Sequence, residues 1–540
     1  DQAPWRVDRI AAPTTASAPT CQGAACTEAI TINTSGLAAG DVCVVRLTNP
    51  DGAYGDFSAI GITTPSLNLN NPRKGTDMNI GRRALASAAG QATPAARFVY
   101  AIGGDNGATS GALDSSEFAP VDLYGAMGTW SVQKSLLGSK RTLTAATTVG
   151  RYMYVVGGND GSAQLATAER AMILSPRETP VIRDVDLNLV AAAGLGTGEW
   201  HYRVSAVFAD TDLDNPAGES LASDAFSLKL PDIKDKKISV KIFWSAPVDS
   251  AKAALPNVVA YRIYRNVAGT DAPGTELLLD TVTITDPNTA LEYLDDGSKT
   301  PAADSPLPLG SAGKWLKLPN LNTARESAAI VPGFDPADAN KFYVYALAGS
   351  GNGTAGLAGY EFLPVTIDPV NGRQVAGAAW TQGTSSLAQG RFQAGAWVVD
   401  RNASTLITDS TTYIYVGGGL TNGTNTTTNV SVGKIAAGGD LGVWSDVPED
   451  FNSANAGYGT FAGSNQLYAF GGQGPAAGSK SAVIINPPPT LKNNSWNAGA
   501  LNLTEGRYLF GTSVQSAFLF LCGGQTTAAQ ASKTTELAVW

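Results

Sequence analysis

Six short stretches of the chain alternate large apolar residues with smaller ones, and each stretch ends in a doublet of small residues. In the first stretch, Phe98, Tyr100 and Ile102 precede the doublet. Alternation with a period of two over aromatic and β-branched residues predicts a strand with one face in a core. Glycine at the end of the strand allows a tight backbone exit. The doublets are Gly103-Gly104, Gly157-Gly158, Ala348-Gly349, Gly418-Gly419, Gly471-Gly472 and Gly523-Gly524.

The spacing of these doublets predicts one structural unit that is repeated along the chain. Most doublets follow one another at a period of about 53 residues. A unit of this kind buries its faces only by stacking on its neighbours. The step from Gly157 to Ala348 is several times longer than one period. The second repeat is therefore expected to carry an inserted domain.

Other residues recur at constant places within the repeat. A glutamate marks a later strand in four copies: Glu117, Glu169, Glu361 and Glu536. A tryptophan precedes an arginine by about eleven residues in four copies: Trp130 and Arg141, Trp315 and Arg325, Trp380 and Arg391, Trp496 and Arg507. In combination, these marks resemble the kelch repeat, which is the four-stranded blade of a β-propeller.

This resemblance implies an all-β chain that folds as a six-bladed, galactose-oxidase-like kelch propeller over residues 66–176 and 310–540. The third copy departs from the pattern because Ala348 replaces the first glycine. Asn455 stands where the arginine that follows Trp444 is expected, and the fourth and fifth copies lack the strand glutamate. We expect those blades to be divergent but present.

The end of the chain predicts how the ring of blades closes. Glu536 is followed by only four residues, so the last blade has no fourth strand of its own. Counting back from Arg82 or Arg83 by the Trp–Arg spacing places the missing strand near Asn71 or Pro72. A ring closed by an N-terminal strand removes the open sheet edges. We therefore predict closure of this kind.

Residues 177–309 break the repeat and are predicted to form the insert. The stretches Glu199–Val207 and Val240–Trp244 resemble strands of a fibronectin type III sandwich, but in a rotated order. Circular permutation is tolerated where chain ends lie close together. We expect the insert to leave between the third and fourth strands of its blade, and to project from the face opposite the loops that join second to third strands.

The N-terminal region has a different composition. Residues 1–27 are rich in Pro, Ala and Thr and predict an extended tether. Residues 28–65 hold short β-type stretches between turns and predict a small β-sandwich-like segment, with a degenerate seventh blade as the alternative. The segment from residue 66 onward contains the closing strand.

Composition limits the possible partners. The net charge is −9 and the pI is about 4.9, which argues against a nucleic acid because such a partner requires a basic face. No apolar run reaches the roughly 18 to 20 residues that span a bilayer. Charged residues make up only 15% of the chain. Hydroxyl and amide groups therefore provide much of its polarity, which favours an exported protein.

The cysteines predict one local disulfide. Cys21 and Cys26 lie in a short polar stretch without a histidine to complete a metal site, so we expect them to form a disulfide. Cys522 occupies an apolar position before its doublet. A buried free thiol and a bond to Cys43 are both compatible with this position.

The sequence offers little catalytic chemistry. Its one histidine, His201, lies in an alternating stretch of the insert, and a structural or surface role is expected. The copper site of galactose oxidase needs histidine ligands, so that chemistry is disfavoured here. The motif Ser-x-Asp-x-Gly-x-x-Trp of sialidases is absent. The arginines that follow the tryptophans occur at a fixed position of the repeat, which favours a structural role over the binding of an anionic ligand.

Two kinds of modification or ligand site are suggested. Asp210, Asp212 and Asp214 alternate as calcium ligands do, although Asn215 and Leu221 depart from the EF-hand pattern. A solvated acidic turn is the alternative. Sequons for N-glycosylation occur in the predicted loops, and the candidate acceptors are Asn352, Asn402, Asn422, Asn425 and Asn429.

These observations favour an extracellular or cell-surface binding, adhesion or assembly protein without enzymatic activity. Its partner is expected to be a protein or a glycan on a cell surface or in an extracellular assembly, because the loops offer display surfaces. One alternative is a propeller enzyme or lectin that acts on carbohydrate. Another is a subunit of an extracellular filament or surface layer, joined through the tether or the insert.

Overall fold

The computed structural model describes most of the chain after residue 71. The described residues are 72–540 without 108–110, 192, 235, 287–288, 401–411, 448–450, 452–453, 464–465, 474–480, 486–496, 527–529 and 540, together with the backbone of eight short strands between residues 13 and 61. Side chains of those eight strands, and of residues 400, 463, 466, 481–485 and 497–502, are outside the description.

All regular elements of the described residues are strands, and all paired strands are antiparallel, so the protein is all-β. Within this part of the chain, no helix has the length and apolarity needed to cross a membrane. The first nine strands are β1 (Pro13–Ala16), β2 (Thr20–Gln22), β3 (Ala25–Thr27), β4 (Ile30–Ile32), β5 (Val42–Cys43), β6 (Arg46–Thr48), β7 (Tyr54–Asp56), β8 (Ile60–Gly61) and β9 (Arg73–Lys74). β1 to β8 pair among themselves in two-stranded sheets.

Six sheets contain the repeated units, and they are called sheets 1 to 6 in chain order. Sheet 1 consists of β10 (Ala86–Gln91), β11 (Arg97–Ile102), β12 (Ser116–Val121) and β13 (Ser131–Val132). Sheet 2 begins with β14 (Ala145–Val149), β15 (Tyr152–Val156) and β16 (Ala168–Met172). In both sheets the second strand is buried along its whole length.

The insert follows β16 and forms two further sheets. Its strands are β17 (Val181–Val190), β18 (Gly198–Phe208), β19 (Phe226–Leu230), β20 (Lys237–Ser245), β21 (Val258–Arg265), β22 (Leu277–Thr283) and β23 (Glu292–Asp295). The sheet orders are β17-β20-β23 and β19-β18-β21-β22. Their facing apolar residues, including Trp200, Val240 and Ile263, share one core.

The chain then returns to complete sheet 2 with β24 (Leu316–Lys317), which pairs with β16. The insert therefore lies between the third and fourth strands of its sheet.

Sheets 3 and 4 follow in the chain. Sheet 3 consists of β25 (Ala329–Asp335), β26 (Asp338–Leu347), β27 (Leu357–Ile367), β28 (Gln374–Ala376) and β29 (Thr381–Arg391). Sheet 4 consists of β30 (Gly395–Asp400), β31 (Thr412–Gly417), β32 (Val430–Lys434) and β33 (Ser445–Asp446).

The last strands contain the C-terminal partner of β9. Sheet 5 consists of β34 (Gly459–Gly463), β35 (Gln466–Phe470), β36 (Ser481–Ile485) and β37 (Asn497–Asn502). Then follow β38 (Arg507–Tyr508), β39 (Gly511–Gln515), β40 (Phe518–Cys522), β41 (Gln525–Thr526) and β42 (Thr535–Val539). Sheet 6 has the order β39-β40-β42-β9, with Lys74 opposite Glu536. Its outer strand thus comes from residues 73–74, close to the position expected from the sequence.

The first strands of neighbouring sheets are in contact from sheet 1 to sheet 6, and β39 also contacts β10. Backbone hydrogen bonds connect the same neighbours. The second residue of each doublet donates its N–H to a carbonyl oxygen shortly before the first strand of the next sheet, for example Gly104 to Arg141 at 2.8 Å. The last of these bonds joins Gly524 to Arg82, also at 2.8 Å. Sheet 6 is therefore bonded directly to sheet 1.

Ion pairs, some of them buried, hold the insert against the repeated sheets. Asp214 of the insert bonds to Arg170 of β16, at 3.4 Å, and to Arg373 beside β28, at 2.6 Å. On another side, Lys134 donates to Asp304 at 2.6 Å. Because these contacts involve sheets 1, 2 and 3, the insert is held at more than one point.

Candidate ligand-binding mouth of a shared cavity

One cavity of about 590 Å³ is lined by the first strands of all six sheets. Its walls consist mainly of alanine, glycine, serine, threonine and aliphatic side chains. None of the described lining residues is acidic, basic or a histidine. The phenol of Tyr458 is used within the wall, since it donates to the carbonyl oxygen of Gly417 at 2.6 Å. The cavity is therefore a neutral space.

Six residues close a circle of backbone hydrogen bonds around this cavity, one from each sheet. We call them the inner circle, and all six line the cavity. Each donates its N–H to the carbonyl oxygen of its counterpart in the preceding sheet, at 2.7–3.0 Å. The six bonds, each from N–H to carbonyl oxygen, are Ala84 to Leu509, Leu143 to Ala84, Ser327 to Leu143, Gln393 to Ser327, Gly457 to Gln393 and Leu509 to Gly457.

The inner circle stores backbone strain. All six residues have a positive φ of 50–62°, although Gly457 is the only glycine among them. The left-handed conformation costs an L-residue roughly 1–2 kcal/mol. Such strain persists only where the surroundings impose it, and it is often found at functional sites. The six bonds of the circle are what imposes it here.

Replacing Ser327 by glycine should raise the free energy of unfolding by about 0.5 to 1 kcal/mol. Glycine removes the left-handed strain, at the cost of a more flexible unfolded chain. It also removes a buried hydroxyl that has no hydrogen-bond partner in the described part of the chain. Urea unfolding would measure the gain. Ser327→Ala is the matched control, because it loses the hydroxyl and keeps the β-carbon. An equal gain in both variants would rule out strain relief.

A second layer of residues adjoins the inner circle but does not itself line the cavity, and we call the region that this layer forms the mouth. In each sheet, the residue before the inner-circle residue pairs with the residue that follows the doublet. We call these pairs the outer circle. They are Arg83 with Asp105, Thr142 with Asn159, Glu326 with Ser350, Phe392 with Leu420, Ala456 with Gln473, and Tyr508 with Gln525.

The polar side of the outer circle is provided by sheets 1, 2, 3 and 6. Arg83 forms an ion pair with Asp105 at 3.1 Å and reaches Gln525 at 3.4 Å. Glu326 is only 5% exposed and accepts hydrogen bonds at Oε2 from the amides of Asn159, at 2.6 Å, and Gln164, at 3.2 Å. A carboxylate has about four acceptor sites, so Glu326 keeps acceptor capacity at Oε1.

The opposite side of the outer circle is apolar. Phe392, Leu420 and Ala456 form a small buried cluster where sheets 4 and 5 meet. The mouth therefore has amide and carboxylate groups on one side and a closed apolar cluster on the other. The amide and carboxylate groups suit a ligand that has hydroxyl groups.

The arginines of the repeat are buried structural residues. Arg82, and not Arg83, is the first of them. Each arginine donates to a carbonyl oxygen at or near its doublet, as Arg325 does to Ala348 at 2.7 Å. Four of the arginines also form an ion pair with the strand glutamate: Arg82 with Glu117, Arg141 with Glu169, Arg325 with Glu361, and Arg507 with Glu536.

The divergent sheets replace these partners with amides. In sheet 4, Arg391 bonds to the side chain and the carbonyl oxygen of Asn429. In sheet 5, Asn455 stands in for the arginine and donates to the carbonyl oxygen of Gly471 at 2.8 Å. The anchoring of the doublet is therefore retained with different chemistry.

The proposed calcium ligands are placed in different surroundings. Asp210 is exposed, whereas Asp212 and Asp214 are buried. Asp212 accepts the N–H groups of Asp214 and Asn215, at 2.9 and 2.8 Å, and Asp214 is paired with arginines as described above. Among the described residues, no cluster of His, Cys, Asp or Glu is suited to a metal ion. Calcium at this loop stays a prediction.

The other residues singled out by the sequence lie apart from the mouth. His201 is buried in β18, and its Nδ1 lies 2.8 Å from Oγ of Ser227. Cys522 is a free, buried cysteine, and burial raises the pKa of its thiol to about 12. Cys21 and Cys26 are opposite each other in the β2–β3 pair. Their side chains lie outside the description, so the disulfide stays a prediction.

Most of the candidate glycosylation sites lie in loops that follow a doublet. Asn352, Asn422 and Asn425 are exposed, and glycans at these positions stay a prediction. Asn429 is only partly exposed, and its side chain is engaged by Arg391. Asn402 lies outside the described residues.

Comparison with known proteins adds little to this description. No family model and no curated protein matches the chain. One solved structure, named "Structure of YjhT", is similar at a TM-score of 0.40 and 11% sequence identity, over 85% of this chain and 95% of that one. A TM-score this low supports no argument about fold or function.

The mouth residues were missed by the sequence interpretation. Their signal is positional, since each stands next to an arginine or just after a doublet. The residue types alone, among them Arg83, Asn159 and Glu326, give no common pattern. Aligning the copies on their doublets would have shown that these positions form one layer.

Proposed function

We propose that sheets 1 to 6 form a six-bladed kelch-type β-propeller closed by β9, and that the insert is a permuted fibronectin type III-like sandwich. Support comes from the contact of β39 with β10 and from the closed inner circle of hydrogen bonds. The repeated arginine–glutamate pairs agree with the kelch resemblance. The shared cavity is then the central channel of the propeller.

On this scaffold, the chain is a non-enzymatic binding protein that acts outside the cell or on its surface. The ligand is a neutral glycan, and it binds at the mouth of the shared cavity. The observation that carries this proposal is Glu326, a buried carboxylate that is held by two amides and forms no ion pair within the described part of the chain. Its remaining acceptor capacity suits a sugar hydroxyl.

The charges at the mouth favour a neutral ligand over an anionic one. Arg83 is already paired with Asp105, and the repeat arginines are buried. No cationic group of the described outer circle is therefore left for a phosphate or carboxylate.

An array of defined neutral and acidic oligosaccharides, probed with the labelled full chain, tests this function. We expect binding to neutral glycans, and Glu326→Gln should weaken it about tenfold or more because a hydrogen bond to a charged group is lost. Glu292→Gln is the matched control. Glu292 lies on the insert, where it pairs with Lys241, and its replacement should leave binding unchanged.

Other results of the same experiment would contradict the proposal. A chain that binds no array member is not a glycan-binding protein, and the partner would then be sought among surface proteins. Equal loss of binding in both variants would place the site elsewhere. Release of products from a bound glycan over time, abolished by Glu326→Gln, would support the alternative of a carbohydrate-processing enzyme.

A further inference from the structure

The first strand of the insert, β17, is a long strand with one unpaired edge. It runs from Val181 to Val190 and pairs with β20 on one side only. Within the described residues, no backbone hydrogen bond connects its other edge to another segment. The N–H of Val185 instead bonds to the Asp184 side chain at 2.9 Å, so Val185 is among the residues that face this edge. Unpaired strand edges are templates for another strand.

The same strand carries apolar side chains that the described chain covers only in part. Leu187 and Leu189 are 47% and 62% exposed. They stand opposite Val240 and Ile238 of β20, which are both buried in the core of the insert. Directly opposed residues share one face of a sheet. Leu187 and Leu189 therefore lie on the core-side face of β17, but the second insert sheet does not fully cover them.

Several other sheet edges in the described part of the chain are short or protected. The outer strands of sheets 1, 2, 4 and 6 contain only two residues each, as in β13 and β33. In the insert, β22 is bonded by the segment that follows β23, with Leu278 donating to the carbonyl oxygen of Asp304 at 2.7 Å. Such devices prevent edge-to-edge association. β17 has neither device.

We propose that β17 is a self-association edge, where β17 of a second copy of this chain pairs antiparallel across a two-fold axis at Leu187. Leu187 then faces Leu187 of the second copy. Val185 faces Leu189 on the same side of the sheet, and Asp186 faces Asn188 on the other side. A two-fold interface uses one surface of each copy and closes after two.

The sequence of β17 favours this register over its neighbours. A shift of two residues in one direction places Asp186 opposite Asp186 of the second copy, and directly opposed like charges are destabilising. A shift in the other direction shortens the ladder from residues 184–190 to residues 186–190. The register centred on Leu187 joins apolar to apolar residues and opposes no two carboxylates. The strand is thus complementary to itself.

The association is expected to be weak and reversible. One strand pair is smaller than a standard interface, which buries about 1,600 Å² in total. We therefore expect dimers at chain concentrations of about 10–100 µM. At lower concentrations the monomer of 55.6 kDa should predominate.

Sedimentation equilibrium of the full chain over this concentration range is the first test. The average mass should rise with concentration, and Leu187→Lys should keep the chain monomeric because it places two lysines opposite each other. Val443→Lys is the matched control, since Val443 is 85% exposed outside the insert, and it should dimerise as the parent does. A parent chain that stays monomeric, or a Leu187→Lys variant that still dimerises, overturns the proposal.

Disulfide trapping tests the register. Leu187→Cys places two thiols opposite each other on the two-fold axis, within the distance that a disulfide spans, so mild oxidation should give a covalent dimer on a non-reducing gel. Asn188→Cys is the matched variant, because its thiol faces Asp186 and should not cross-link. The parent chain controls for its native cysteines, and near-UV circular dichroism checks folding. Equal cross-linking at both positions would overturn the register.

Discussion

Removal of residues 1–80 should lower the free energy of unfolding by more than about 4 kcal/mol, whereas removal of residues 1–71 should have little effect. The difference between the two deletions is β9 and the segment that follows it. This segment bonds to sheet 6 through Gly75 and Thr535, at 2.9 Å, and buries Met78 to 2% exposure. Its loss leaves β42 as an open edge, which invites aggregation. Thermal unfolding and light scattering would measure both effects.

The longer deletion also affects sheet 1. The N–H groups of Asn79 and Ile80 donate to Glu117, at 2.7 and 3.1 Å, and the indole of Trp130 donates to the carbonyl oxygen of Thr76 at 2.9 Å. The shorter deletion keeps all of these groups, so its melting temperature should remain within about 2 °C of the parent. If both deletions behaved alike, the pairing of β9 with β42 would contribute nothing to stability.

Replacement of Arg325 by methionine should cost about 3–5 kcal/mol, because it leaves the buried carboxylate of Glu361 without its cation. The two side chains are 2.6 Å apart and almost fully buried. Burial lowers the pKa of the Arg325 guanidinium, and Glu361 acts in the opposite direction. The arginine also loses its bond to the carbonyl oxygen of Ala348. Urea unfolding of the full chain would measure the loss.

Two further variants test whether the loss of stability arises from the burial of the charges or from the loss of any ion pair. Lys241→Met breaks an ion pair with Glu292 of similar length, 2.7 Å, whose side chains are about one-third exposed, and it should cost less than about 1 kcal/mol. The double variant Arg325→Met/Glu361→Met should be more stable than Arg325→Met alone, since no unpaired charge stays buried. A double variant that is less stable would show that the glutamate stabilises the sheet without its arginine.

Much of the strand arrangement could be predicted because the repeat is local. Alternating residues such as Tyr152 and Tyr154 form strands whose neighbours lie within one repeat, so short-range pattern and pairing agree. The short last repeat likewise predicted an outer strand near residue 72, and β9 lies at residues 73–74. Arg325 and Glu361 were recognised as separate marks of the repeat, but their ion pair links residues from different segments, and spacing alone does not reveal it.

The candidate site was much harder to predict. Glu326 is far in the sequence from Asn159 and Gln164, and it meets them only where the loops of sheets 2 and 3 approach each other. The acidic run at Asp210, Asp212 and Asp214 was conspicuous in the sequence, but Asp214 serves to dock the insert. Burial and ion pairing decide such roles, and they depend on elements that the local sequence does not contain.

Local sequence established the number of repeated units, the strands within them, the interruption by the insert and the need for a strand from before the first repeat, because each follows from spacing and alternation. The inner circle was decided only by tertiary structure. Its six residues are of five types, and five are not glycine, so nothing in their own sequence favours a left-handed backbone. The closed hydrogen bonds among six sheets impose it, and they form only when all six are assembled.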